Sequence, residues 1–194
     1  MTSLPAMKAS GAKTILIRGG SIPAGDGASR SYVHILRDIF ARQGIEVLNR
    51  SRAGETSFDG VDTFREDVEP FRPDMLVIHF GIDDAFSAVY RSEFKENLVR
   101  MTRMARLCSA PRIFIPTSQP FENAFDMDSV GIFYRVIREV CADLDCGLIP
   151  VHTFWAGLIA ERCLPLTSLV QEDPRLPNEK GHELFARALL QHLM

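Results

Sequence analysis

The sequence predicts an α/β protein: a three-layer α/β/α sandwich built on a parallel sheet of five strands joined by right-handed crossovers. Three observations carry this. Short continuous apolar runs have the length and composition of strands covered on both faces. Between them lie segments whose apolar residues recur at helical spacing. The links are too short to hold a further domain, so the 194 residues are expected to form one domain over 1–194, with 1–12 as a loose tail ahead of the first strand.

In chain order, Thr14 to Ile17 is an apolar, β-branched run that leads into Gly19-Gly20, where a turn is expected, and Ser21 stands just past it. From Ser31 to Gln43, Tyr32, Val33, Leu36, Ile39 and Phe40 fall mostly on one helical face, and Gly44 is the stop. Ile45 to Leu48 makes strand two, Asn49 to Gly60 a polar loop containing Gly54, and Val61 to Phe71 a helical segment closed by Pro73. Strand three, Met75 to Phe80, ends in the acidic turn Gly81-Ile82-Asp83-Asp84.

The segment Ser92 to Leu107 carries Phe94, Leu98, Met101 and Ala105 on one stripe with basic residues opposite, as a crossover helix does. Ile113 to Ile115 makes strand four, and Thr117 to Ser129 a loop long enough to close over a substrate. Ser129 is expected to cap a helix whose stripe runs from Ile132 to Leu144, with Leu148 to Val151 as strand five. The tail offers a loop, Glu172 to Pro177, and a last helix from about Asn178.

Composition excludes several functions. Twenty-two basic against 25 acidic residues give a net charge of −3, which supplies no field for steering onto nucleic acid or an anionic membrane. No run approaches a membrane span of roughly 18 apolar residues, and MTSLPAMKAS lacks a signal peptide's apolar centre, so a cytoplasmic, membrane-free protein is expected. Cys108, Cys141, Cys146 and Cys163 show no C-x-x-C spacing, read as free thiols, and predict no structural metal.

A strand followed by glycines also opens phosphate sites, but the residues here do not fit one. Gly20 and Gly25 have a Walker loop's spacing, yet Asp26 and Gly27 stand where Lys and Ser or Thr would meet phosphate. No stretch reads G-x-G-x-x-G, so no dinucleotide cofactor is expected. In an open parallel sheet, ligands bind beyond the strands' carboxyl ends. Ser21 after strand one, Gly54 after strand two and Asp83 after strand three therefore converge on one rim.

These residues resemble the SGNH hydrolases, the GDSL esterase and lipase family, in order and spacing from about Thr14 to Leu193. Gly19-Gly20-Ser21-Ile22-Pro23-Ala24-Gly25 is similar to the family's GDSITAG-type signature, with Ser21 in the nucleophile's place and Gly20 where Asp is usual. The stretch Asn49 to Thr56 resembles the second signature, whose glycine, here Gly54, lends its N–H to the oxyanion hole. Gly81-Ile82-Asp83-Asp84 resembles the third, with Asp83 in the place of the oxyanion-hole asparagine. Asp173-Pro174-Arg175-Leu176-Pro177-Asn178 resembles the last, DxxHPN; Asp173 matches, and Leu176 occupies the place of the catalytic histidine.

The resemblance implies a flavodoxin-like fold and hydrolysis of acyl esters without a cofactor, by Ser21, Gly54, Asp83 and Asp173. Leucine can neither accept a proton from serine nor return one to a leaving group. His152, expected on the rim after strand five, and His182, at the start of the last helix, are the substitutes to consider. Two functions stay open: an acyl-ester hydrolase with rearranged or impaired chemistry, and a degenerate relative that binds a small acylated or hydroxylated ligand, or a protein partner, in the old cleft.

Overall fold

The computed structural model describes residues 13–109 and 111–194; the predicted tail over 1–12 lies outside them. Five strands, β1 (Thr14–Gly19), β2 (Glu46–Asn49), β3 (Met75–His79), β4 (Arg112–Pro116) and β5 (Gly147–Ile149), form one sheet in the order β2-β1-β3-β4-β5. Every pairing is parallel, with Ile17 opposite both Asn49 and Val77. All six residues of β1 are buried, as its apolar composition requires of a strand covered on both faces.

The chain starts in β1, steps outward to β2, and crosses back over β1 to reach β3. Strand order therefore reverses between β1 and β3, and the crevice beyond their carboxyl ends is where such a sheet receives a ligand. Two groups of helices cover the sheet. Helix α2 (Tyr32–Ala41) packs on α9 (Glu179–Leu193), which also meets α8 (Val151–Arg162). Helix α6 (Arg91–Cys108) packs against α7 (Ala124–Asp143) and α3 (Ser57–Asp62). Leu16, Val77, Phe94, Ile137 and Phe185 are among the residues of one continuous apolar core.

The structure corrects three local expectations. Helix α7 begins after Asn123, whose Oδ1 accepts from the N–H of Phe125 and Asp126; Ser129 lies inside the helix, its hydroxyl bonded back to Phe125 O. Asparagine is the better placed N-cap, and the preceding loop is shorter than predicted. The segment from 57 to 71 is divided among α3, α4 (Phe64–Asp67) and a 3-10 turn, Glu69–Phe71. Pro70 and the bond from Thr63 Oγ1 to Asp59 O account for the breaks. Strand β5 ends at Ile149, because Pro150 cannot donate to the ladder, and Val151 already opens α8, where the sequence predicted no helix.

Candidate active site

The site is built on the turn after β1. Gly20 caps the short helix α1 (Ser21–Ala24), which leaves the N–H of Ser21 without a helical acceptor. Asp83 reaches it from α5 (Ile82–Ala85), the turn after β3. Ser21 Oγ donates to Asp83 Oδ1 at 2.6 Å, and Ser21 N–H donates to Asp83 Oδ2 at 2.9 Å. Gly54 N–H donates to Ser21 Oγ at 2.8 Å. The hydroxyl is thus held from both sides, accepting from one partner and donating to the other.

Gly54 presents its N–H from a left-handed turn, φ +75°, that a side chain would strain. Beneath this turn lies an ion-pair network that the sequence did not reveal. Arg18, 1% exposed at the end of β1, pairs with Glu55 and Asp67 and donates to Thr63 Oγ1 at 2.8 Å. Arg52 grips Asp67 with two bonds of 2.7 and 2.8 Å and also pairs with Glu55. Glu55 therefore ties the turn carrying Gly54 to the strand that leads into Ser21.

Ser21, Gly54, Asp83, Asp173 and Leu176 all line one cleft of about 290 Å³. Arg175 also lines it and forks onto Asp173, with Nε 2.9 Å from both carboxylate oxygens. Its guanidinium lies 5.5 Å from the Phe86 ring centroid. Burial raises the Asp83 carboxyl above its ordinary range, against the bonds from Ser21 and the charge of Arg175, which lower it. Asp84, with no exposed surface, is pushed up by burial to about 6 while accepting from the N–H groups of Ser57 and Gly81. The fork from Arg175 holds Asp173 below the usual carboxylate range.

A family model described as the GDSL-like lipase/acylhydrolase family matches residues 18–184. The chain belongs to that family, the SGNH hydrolases. It is 27% identical to esterase TesA of Pseudomonas aeruginosa over 143 residues, 72% of this chain and 70% of that protein. Among solved structures it resembles Axe2, an acetylxylan esterase from Geobacillus stearothermophilus, with a TM-score of 0.81 at 20% identity, covering 92% of this chain and 93% of that one. A lipase/acylhydrolase from Enterococcus faecalis gives 0.77 at 24% identity, covering 93% and 95%. At these identities the structural likenesses show the fold, with its five-stranded parallel sheet and flanking helices.

Within this SGNH chain, neither substitute histidine lines the cleft. His152 lies in the first turn of α8, its Nδ1 2.8 Å from Thr117 Oγ1 and its ring stacked on Tyr134. His182 is buried at the start of α9, where Nδ1 accepts from Tyr32 N–H. Burial lowers it to about 4 and His79, whose Nδ1 is 2.8 Å from Tyr32 Oη, to about 3. Both are neutral core groups. Arg175, Phe86 and Ser87 line the cleft without a role read for them in the sequence; the place of Arg175 two residues after Asp173 gives no spacing rule to find its fork. Asp83 accepts both of its bonds from Ser21 and donates neither.

Proposed function

We propose that this SGNH protein hydrolyses small acyl esters through Ser21, slowly compared with relatives that keep the histidine. The observation supporting this is the Ser21 hydroxyl fixed between Gly54 N–H and the Asp83 carboxylate in an open cleft. Attack by Oγ on a carbonyl carbon develops charge on the carbonyl oxygen, and the backbone donors beside it are the N–H groups of Ser21 and Gly54, which at rest are held by Asp83 Oδ2 and Ser21 Oγ and must turn from them to stabilise it. The Asp173–Arg175 pair borders the cleft and is neutral as a pair, which leaves Asp26 and Asp83 as the other charged groups lining it. Loss of a triad member typically costs about 10⁴ to 10⁶ in turnover, while backbone donors retain roughly 10³ to 10⁴ over water.

A second reading is favoured by Leu176 on the cleft wall and by Asp83 occupying the Ser21 N–H. On this reading the protein binds an acylated or hydroxylated ligand without turnover. Labelling by a serine-directed fluorophosphonate, with nitrophenyl acetate hydrolysis measured beside it, separates the two. Labelling and slow hydrolysis that both vanish in Ser21→Ala support the hydrolase; an unlabelled protein is a binder.

A further inference from the structure

We infer that Asp83 is the general base for Ser21, so that this chain works as a direct Ser–Asp dyad in which Gly20 provides the room for the carboxylate. The inference rests on the reading of Ser21 as nucleophile and assigns the missing base. The Oγ to Oδ1 distance of 2.6 Å is within the reach a general base needs, and is that of a charge-assisted O–H···O⁻ bond. Because Gly54 N–H donates to the same oxygen, the serine proton is committed to Asp83, and one lone pair remains for the carbonyl carbon.

Two positions where the family signatures carry other residues fit together here. A β-carbon on residue 20 would lie 2.1 Å from Asp83 Oδ2, so any side chain there displaces the carboxylate. Glycine at 20 and aspartate at 83 are one arrangement. Arg175 and Asp173 face Asp83 across the cleft from the loop before α9, Asp26 from the turn after α1, and Asp84 adjoins it on α5. Glu55, whose carbonyl borders Gly20, closes the circle from the turn after β2.

The step balances with water as the only co-reactant. Oγ bonds to the acyl carbon, the carbonyl π pair moves onto its oxygen, and the hydroxyl proton passes to Asp83 Oδ1. Protonation removes the charge that held the Ser21 N–H, which then joins Gly54 N–H in stabilising the oxyanion. On collapse the carbon–alkoxide bond breaks, and the alkoxide takes the proton from Asp83 and leaves as an alcohol. Asp83 then accepts a proton from water as it attacks the acyl-serine. The carbon–Oγ bond breaks, Oγ recovers the proton, and a carboxylic acid leaves.

The test is the rate of fluorophosphonate labelling across pH for the full chain, Asp83→Asn and Ser21→Ala, with thermal melting to show that the variants fold. The expected result is a parent rate that rises through one acid ionisation and then levels. Asp83→Asn, which keeps the size and loses the base, is expected to slow it about 10²-fold or more and abolish that ionisation. Equal or faster labelling of Asp83→Asn overturns the dyad and leaves the hydrolase standing, as does an inflection near 6.5 that survives the substitution, since that belongs to a histidine. The parent's own pH profile decides the matter if the variant fails to fold: a rate that falls as Asp83 ionises overturns the dyad. No labelling of the parent at any pH removes the nucleophile, and the dyad with it.

Discussion

Gly20 and Asp83 share one volume: a methyl group added to Gly20 would lie 2.1 Å from Asp83 Oδ2 and 2.4 Å from the Glu55 carbonyl oxygen. One of these neighbours is a side chain that can move and the other is backbone that resists. Gly20→Ala is therefore expected to lower stability by about 1–3 kcal/mol, the usual range for overpacking. It is also expected to push Asp83 off Ser21. Urea unfolding measures the first effect and fluorophosphonate labelling the second; full stability with an unchanged labelling rate would show that the turn yields freely.

The Arg18 network predicts a larger effect away from the cleft. Asp67 is 4% exposed and holds Arg52 by two bonds beside the buried Arg18. Burial is the largest single influence and works against its charge, but the bonds from Arg52 and Thr63 and the charges of Arg18 and Arg52 together outweigh it and hold the carboxyl below its ordinary range. Asp67→Asn leaves the Arg18 guanidinium short of countercharge, and breaking a buried pair costs roughly 3–5 kcal/mol. Urea unfolding at neutral pH should show a loss of that order, with slower labelling of Ser21 because the Gly54 turn loosens.

Stability is also expected to fall early on acidification. His79 and His182 stay neutral in the folded chain down to about 3 and about 4, whereas the unfolded chain protonates them near 6.5. Between these limits the unfolded state binds more protons, so stability declines as pH falls, by about 1.4 kcal/mol per pH unit for each histidine. Asp84 acts in the opposite sense, because its folded pKa of about 6 lies above the unfolded one, and between about 4 and 6 it offsets one histidine. Asp83, whose carboxyl burial also raises, adds to that offset, so the net loss from pH 7 to pH 5 should be about 2 kcal/mol. A flat urea midpoint across that window would show that the histidines are charged in the fold.

The family apparatus should be partly restorable. Leu176 already lines the cleft with Asp173 and Ser21, so Leu176→His supplies a base and Asp83→Asn a neutral donor. Asp83→Asn alone is expected to lose activity, and the pair to exceed either single change, a non-additive result. Because Arg175 forks onto Asp173, adding Arg175→Ala frees that carboxylate to orient the new imidazole and should raise activity further. The check is kcat/KM on a short-chain ester for the singles, the pair and the triple; no gain in the folded pair would mean that residue 176 does not reach Ser21.

The sheet was legible because strands covered on both faces need apolar runs, and each of the five runs overlaps a strand, although the fifth runs on past Ile149 into α8. Helix α8 was passed over although Val151, Phe154, Trp155, Leu158 and Ile159 keep helical spacing. Val151, the first of them, reads as the end of strand five, which hides the start of that stripe. That Ser21, Gly54, Asp83, Asp173 and Leu176 meet at one cleft was legible through the rim rule and the family signatures; Asp26, Phe86 and Ser87 beside them were not. The direction of the Ser21–Asp83 bonds was not, because a signature position assigns a place and not which atom donates. Arg18 was hidden for a similar reason: a charge at a strand end shows no sign of burial until Glu55, Thr63 and Asp67 fold over it from the segment after β2.

The reversal of strand order between β1 and β3 also bears on how quickly the site can exist. Ser21, Gly54 and Asp83 arrive on three successive strand ends, and the cleft is completed by residues 173–176, after the last strand. No local segment contains a working fragment of it. Parallel pairings close long loops before any contact rewards them, which makes such chains slow to fold. Chemical reactivity at Ser21 should accordingly return only with the last kinetic phase of refolding, well after helix signal has recovered, so that a covalent serine probe serves as a clock for completion of the sheet.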